Sequence, residues 1–428
     1  MVGRKMNHTY ITKIELKNIR CFDNFSVSLA ENESPIQWTM ILGNNATGKT
    51  TLLRAVALGL CHEGDAVALM KDAPGNFVRK GKREGQIRIT LKQEKNETPH
   101  TITTTIIKAS EDEPEIIRQF IRPERQFSRA DIFVCGYGPQ RSAPAYAGYE
   151  KYEPINAVRG LFNHQITLQN PELILLRQEP GLRKKLEKKL LQILMLDAAD
   201  CEITYPKTGF EIRGPWGRLP FEALSDGYRS TTHWILDFIG WLIYAERFDS
   251  DEEIGGIVLL DELEQHLHPK WQRHIISRIR EQFPKVQFIT TTHSPLLASA
   301  VGKLPLKTYR DKLIHLELKP DRTVGKNELD TLIGLNIDQV LASRAFDHLT
   351  DADPEVERVL AEASKLAGRG DQRTEDDEER YQAVKSALKM ILKRQGRTAV
   401  ETDIRNELYQ EMRQEIDELE RKVFGEIR

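Results

Sequence analysis

The sequence is short of cysteine and of net charge, and it has no long apolar run. Its four cysteines, Cys21, Cys61, Cys135 and Cys201, lie far apart, with no Cys-x-x-Cys and no cysteine-histidine pairing. That spacing argues against a zinc module and against a disulfide scaffold, and leaves free core thiols as the expectation. The longest apolar stretch, around Trp234 to Tyr244, is interrupted by Asp237 and is too short to span a bilayer. It reads as a buried helix, and no membrane association is expected. The N-terminus, MVGRKMNHTYITKIEL, is basic but lacks the apolar core and cleavage site of a signal peptide, so a cytoplasmic location is expected. A formal net charge of -2 rules out a uniformly basic nucleic-acid coat. It permits local patches at Arg79-Lys80-Gly81-Lys82-Arg83 and at Arg183-Lys184-Lys185 with Lys188-Lys189. These are either solvated faces or points of DNA or RNA contact.

What is present is an ordinary globular balance, 39% hydrophobic and 29% charged over 428 residues, enough for one large core or two modest ones. Ile14, Leu16 and Ile19 alternate with polar residues and predict a strand over 11–25, followed by a second at Phe25 to Leu29. A third strand, Trp38 to Leu42, runs into a glycine-bearing loop, and Thr50 to Leu60 has apolar residues at helical spacing. Two further β-rich runs between Gln86 and Ile107 flank a polar turn at Lys95 to Thr98, and Ile132 to Cys135 predicts another short strand. From Tyr146 to Tyr205 the pattern is helical, with Leu182, Leu186, Leu190 and Leu191 on one stripe. The strand Gly256 to Leu260, a helix over Pro269 to Phe283 and the strand Val286 to Thr290 then restore the βαβ rhythm of a parallel sheet. Beyond Asp351 the chain is charged and helical, with a break at Gly368-Arg369-Gly370-Asp371, an acidic run Glu375 to Glu379, and a final stripe Leu408, Met412, Ile416, Leu419, Val423 and Ile427 suited to docking.

Gly43-Asn44-Asn45-Ala46-Thr47-Gly48-Lys49-Thr50 fits G-x-x-x-x-G-K-[ST] between a strand and a helix, the setting in which that pattern cradles phosphates. The loop amides would surround the phosphates, Lys49 would supply a point charge to the β- and γ-oxygens, and the Thr50 hydroxyl would ligate Mg2+. Thr51 closes the nucleotide-binding set. The apolar run Ile257 to Leu260 ends in Asp261-Glu262, where two adjacent carboxylates call for a cation. Asp261 is expected to hold Mg2+, directly or through water, and Glu262 to orient or deprotonate the attacking water. His266 and His268 lack partner ligands at suitable spacing, which argues against a transition-metal site. Trp234, Phe238 and Trp241 recur at helical spacing and are expected to be core.

Leu224-Ser225-Asp226-Gly227-Tyr228-Arg229-Ser230 resembles the signature motif of ABC-type ATPase heads, with Asp226 and Tyr228 departing from the LSGGQ pattern while Ser225 and Gly227 match. Gln140, in Gly138-Pro139-Gln140-Arg141, resembles the glutamine loop of such heads, and His293, in Thr291-Thr292-His293-Ser294-Pro295, their switch histidine. The resemblance covers about the first 300 residues. It implies an α/β head with a mixed-sheet phosphate-loop lobe (1–145 and 250–348), a helical signature lobe (146–249) and a helical C-terminal extension (349–428). It also implies ATP and Mg2+ as ligands, hydrolysis of the β-γ phosphoanhydride, and a homodimer, or multiples of it, in which Ser225 and Gly227 meet the γ-phosphate of the opposite copy. Gln140 would sense Mg2+ and water, and His293 would contact the γ-phosphate.

The opening Ile11-Thr12-Lys13-Ile14-Glu15-Leu16-Lys17-Asn18-Ile19-Arg20-Cys21-Phe22 and the loop Leu263-Glu264-Gln265-His266-Leu267-His268-Pro269 are similar to the RecF/SMC/OLD-type branch. Long heptad arms are missing, and Asp351-Ala352-Asp353 reads as a helix cap rather than as nuclease chemistry. The chain resembles the PtuA-type ATPases of Septu and some retron anti-phage systems, which implies an HNH nuclease partner, here expected to dock on the C-terminal helices. A RecF-like repair ATPase that clamps DNA, and a nucleotide-bound assembly protein with little turnover, are the alternatives.

Overall fold

The structure, a computed structural model, describes residues 8–94, 96–110, 113–123, 127–141, 151–196, 199–206, 209–246, 254–302, 310–319 and 324–329, with short pieces between 332 and 346 and, further on, Leu366, Thr374 and 376–384. Two compact units are present, 1–349 and 350–428. In the second, residues 376–384 are helical. The expected break at 368–371, the caps at Asp351 and Asp353, and the stripe from Leu408 to Ile427 lie outside the described residues.

In the first unit, β1 (Thr9–Ile19) and β2 (Phe22–Ser28) form an antiparallel pair in which Ile14, Leu16 and Ile19 are buried. A two-residue ribbon, β3 (Ala30–Glu31) with β4 (Ser34–Pro35), leads to β5 (Trp38–Gly43), buried from Trp38 to Leu42. The phosphate loop follows, then α1 (Lys49–Leu60) and α2 (Glu63–Asp72). β6 (Glu84–Gln93) and β7 (Asn96–Ile107) make the expected hairpin. β8 (Ile116–Arg122) extends it, a strand the sequence pattern did not announce. Its inward face carries Gln119 between Ile117 and Ile121, which breaks the apolar alternation. The Gln119 amide donates to Leu58 O at 3.0 Å and Thr104 Oγ1 at 2.8 Å, so the polar residue is accommodated inside.

β9 (Val134–Tyr137) lies two residues beyond the span expected for it. α3 (Pro154–Val158), α4 (Pro171–Leu176) and α5 (Pro180–Ile193) occupy the helical segment. Between them and α6 (Asp226–Tyr244) stands an antiparallel ribbon of β10 (Glu202–Thr204), β11 (Glu211–Gly214) and β12 (Gly217–Pro220). The signature lobe is therefore not purely helical: Pro206, Gly209 and the Gly214 to Gly217 turn cut this stretch into strands too short to register as a period. β13 (Gly255–Leu260) is followed by α7 (Pro269–Gln272) and α8 (Ile275–Gln282), two helices where one was expected. β14 (Lys285–Thr291), α9 (Pro295–Ala298), β15 (Asp311–Leu318), β16 (Val324–Leu329) and α10 (Ile337–Leu341) complete the unit.

Two sheets result. One is antiparallel in the order β2-β1-β6-β7-β8; the other runs β16-β15-β5-β14-β13-β9, parallel except for β16 at its edge. α1 lies between them, with Leu52, Leu53 and Val56 in one core with Ile87 and Ile89 of the first sheet and Ile41, Leu259 and Ile289 of the second. The opposite face of the parallel sheet, through Met40, Val258 and Phe288, shares a core with Trp234, Phe238 and Trp241 of α6. A sheet covered on both faces needs apolar residues at successive positions, which is why β13 reads as a continuous hydrophobic run and β5 as one broken only by Thr39. β5, β14, β13 and β9 are neighbours in that order. Their C-terminal ends therefore deliver the phosphate loop, Thr291 to His293, Asp261-Glu262 and Gly138 to Arg141 to one edge of the sheet.

Candidate nucleotide site

The phosphate loop turns into α1 at Gly48, whose φ of 89° is left-handed. A Cβ at this position would collide with Cys21 Sγ and come within 3.1 Å of the Phe22 ring, so the loop and the β1–β2 turn fit only with glycine there. Thr47 Oγ1 donates to Asn44 O at 2.8 Å. Lys49 Nζ donates to Gly43 O at 2.7 Å and Asn44 O at 2.9 Å, placing the cation over the mouth of the loop. Burial lowers the Lys49 pKa, opposed by the nearby charges of Asp261, Glu262 and Glu264.

Asp261 is the buried hub. Its Oδ2 accepts from Thr50 Oγ1 at 2.6 Å and its Oδ1 from Thr291 Oγ1 at 2.5 Å, while its amide donates to Tyr137 O at 2.9 Å. Its carboxylate thus joins the start of α1 to the end of β14, and its amide ties the end of β13 to β9. The next residue, Glu262, has φ 49° and donates its amide to Thr291 Oγ1 at 2.8 Å. Burial raises its pKa, as do Asp261 and Glu264, with His293 and Lys49 acting the other way. Glu264 accepts from Thr292 Oγ1 at 2.7 Å and from the His293 amide.

A cleft of about 330 Å³ opens at this edge, lined by Arg20, Cys21, Asn45, Ala46, Gly48, Lys49, Thr50, Thr51, Glu262 and His293. A larger groove of about 960 Å³, lined by Lys184, Lys188, Met195, His274 and Arg278 among others, contains none of the motif residues. The structure therefore brings the phosphate loop, Glu262 and His293 to one cleft, with Asp261 directly behind Thr50. Gln140 is exposed at the end of the β9 segment and does not line the cleft. Ser225 and Gly227 do not line it either; they sit at the start of α6, where a Cβ on Gly227 would meet His266 O at 2.5 Å.

Four residues of this neighbourhood were not singled out in the sequence. Thr291 and Glu264 lie inside motifs that were read, and Arg20 belongs to the Asn18-Ile19-Arg20-Cys21-Phe22 opening. Arg141, next to Gln140, is almost fully buried beneath Asp261 and Glu262. Its adjacency to Gln140 was the only signal.

Residues 93–299 match a family described as "AAA domain, putative AbiEii toxin, Type IV TA system", and residues 13–135 one described as "AAA domain". Septu protein PtuA of Bacillus mycoides (strain KBAB4) is 29% identical over 364 residues, 82% of this chain and 46% of that protein. Retron Vc95 probable ATPase of Vibrio cholerae serotype O1 biovar El Tor is 44% identical over 82 residues, 18% of this chain and 15% of the relative. The chain spans less than half the length of the curated relatives it matches. Among solved structures, the SMC head domain from Thermotoga maritima superposes with a TM-score of 0.45 at 12% identity, covering 75% of this chain and all of that one. With these motifs placed around one end of the parallel sheet, and similarity to a Septu PtuA over 82% of its length, the chain has the fold and motif order of an ABC-type ATPase head.

Proposed function

We propose that this head binds Mg-ATP at the β5–α1 loop and hydrolyses it to ADP and phosphate between two copies of the chain. The observation that carries the reading is the position of Glu262, whose carboxylate shares one cleft with Lys49, Thr50 and His293. Glu262 accepts a proton from water; the water oxygen bonds to the γ-phosphorus as the bond from that phosphorus to the ADP oxygen breaks. Lys49 and the loop amides hold the β- and γ-phosphates, and His293 contacts the γ-phosphate from the end of β14. Thr50 and Asp261, a hydroxyl and a carboxylate already hydrogen-bonded, form a hard oxygen set that suits Mg2+. When bound, the ion neutralises charge on the phosphate oxygens.

The dimer is supported by the start of α6. Ser225 is exposed, makes no side-chain cap bond, and stands at the positive end of a 19-residue helix, a place for the γ-phosphate of a second copy. Nucleotide-driven closing and reopening of two heads would then gate a partner effector. Kinship with a Septu PtuA and with retron ATPases supports a place in anti-phage defence, and by that resemblance the partner is an HNH nuclease. The test is ATP turnover and particle mass, with and without Mg-ATP, in the parent and Glu262→Gln. Loss of turnover by about 100-fold or more, with an ATP-stabilised dimer or multiple of dimers, is expected. Parent-like turnover in Glu262→Gln would remove the base assignment.

A further inference from the structure

Arg141 follows an exposed glutamine, yet its guanidinium turns inward. Nε donates to Gly138 O at 3.0 Å, and Nη2 donates to the main-chain carbonyl of Asp261 and, at 2.7 Å, to that of Glu262. A buried cation held by three carbonyls is an expensive choice for a merely packed position, because each strand-end carbonyl would be satisfied more cheaply by an amide. Burial lowers its pKa to about 10, so it remains charged at neutral pH.

What the guanidinium grips is the one peptide whose geometry decides where the base points. Glu262 sits at φ 49°, a left-handed conformation that side-chain-bearing residues avoid unless their surroundings impose it. Two bonds impose it here: Thr291 Oγ1 accepts from the Glu262 amide at 2.8 Å, and Arg141 donates to the Glu262 carbonyl. Thr291 also binds Asp261, and so fixes the amide side of the turn to the metal-facing carboxylate. Arg141 fixes the carbonyl side. It comes from the segment that leaves β9 for the signature lobe, and His233 Nδ1 of α6 lies 3.2 Å from its own carbonyl oxygen. The same residue thus touches the acid turn with its side chain and the signature-bearing helix with its backbone.

We propose that Arg141 is a positioning residue for hydrolysis: its guanidinium clamps the Asp261 and Glu262 carbonyls so that the Glu262 carboxylate stays aimed into the phosphate cleft, and its backbone ties that clamp to α6 through His233. The clamp makes the aim of the base depend on where the signature lobe stands. Nucleotide binding does not pass through it, because Lys49 Nζ is held by the Gly43 and Asn44 carbonyls and not by the acid turn. This inference rests on Glu262 being the base.

The test uses the full chain as Arg141→Met, which fills the space without donors, and Arg141→Lys, which keeps the charge but not the planar fork that bridges two carbonyls. Turnover at saturating ATP and equilibrium Mg-ATP binding are measured in each, beside Glu262→Gln. Misaiming a base by about 1 Å costs on the order of 100-fold, so kcat is expected to fall by at least about tenfold while ATP affinity stays within about threefold. Should Arg141→Met fail to fold, Arg141→Lys decides alone. Parent-like kcat in a folded variant overturns the clamp, and so does a parallel loss of kcat and affinity, the mark of a collapsed site. If Glu262→Gln abolishes turnover while Arg141→Lys does not reduce it, only the clamp fails; parent-like turnover in Glu262→Gln takes the base assignment down first.

Discussion

The hydroxyl of Thr50 donates to Asp261 Oδ2 at 2.6 Å across a sequence separation of 211 residues. The phosphate loop and the acidic strand end are therefore already joined through the two groups that chelate Mg2+ in the proposed site. Asp261→Asn keeps the shape but halves the acceptor capacity facing Thr50 and Thr291 and removes the charge that attracts the ion. Mg2+-dependent ATP affinity should fall by at least about tenfold, the scale on which metal sites respond to loss of a ligand-shell partner. Nucleotide affinity without Mg2+ should change little. Titrating Mg2+ against a fluorescent ATP analogue checks it; equal losses with and without the ion would speak against a metal role for Asp261.

Turnover should also carry the imprint of Glu262. Burial, and then the charges of Asp261 and Glu264, raise its pKa. A general base works deprotonated, so kcat falls as pH drops through that raised value. The acid limb of the kcat profile should lie above the ordinary glutamate range of about 4.3. Glu264→Gln removes one of the charges that raise it and should move the limb to lower pH. A limb that stays put in Glu264→Gln would assign the titration to another group.

These site residues were legible in sequence because of where they sit. β5 and β13 are buried on both faces, so their runs are apolar but for Thr39, and each ends at the sheet edge in a polar motif with nothing to blur it. β8 was not legible, because Gln119 interrupts its inward face and is satisfied there by Leu58, Thr104 and Arg129, whose approach the sequence does not announce. The β10–β12 ribbon was hidden by strands of three or four residues. Arg141 shows a different limit. Nothing in Gly138-Pro139-Gln140-Arg141 says that the glutamine faces out and the arginine in; that follows from β9 pairing with β13 in parallel, which sets the segment against Asp261.

Asp237 offers a test of how the signature helix is seated. It is fully enclosed on α6, where its Oδ2 accepts from Tyr137 Oη at 3.0 Å and its Oδ1 from the Gln169 amide at 2.9 Å. Burial raises its pKa from 3.8 to about 6, the hydrogen bonds opposing the shift. A raised carboxylate pKa means that the folded state holds this proton more tightly than the unfolded chain does. The associated stability is present below the unfolded value and is lost as pH rises to about 6, a change of up to about 3 kcal/mol. Asp237→Asn cannot ionise. Its melting temperature relative to the parent should therefore rise between about pH 4 and pH 6 and level off above. A difference that is flat across this range would mean that the group does not titrate there.

The proposed sandwich makes a composite-site prediction that a self-contained site does not. Lys49→Ala removes the phosphate cation from one copy, and Ser225→Glu places a carboxylate at the exposed start of α6, where it would repel the γ-phosphate of the other. Each variant alone should be inactive. In a mixed dimer, the intact phosphate loop of the Ser225→Glu chain faces the intact signature of the Lys49→Ala chain, giving one working site. The partner site carries both defects. Random pairing of equal amounts makes half the dimers mixed, so turnover should recover to about a quarter of the parent value. Asp226 enters the same geometry: its ion pair with Arg229 on the next turn of α6 holds its carboxyl below the usual range, so it presents a charged acid beside Ser225. Asp226→Gly should therefore speed turnover severalfold. No recovery on mixing, with each variant folded and the Lys49→Ala chain still able to pair, would leave each head hydrolysing alone and remove the reason for a signature motif at the start of α6.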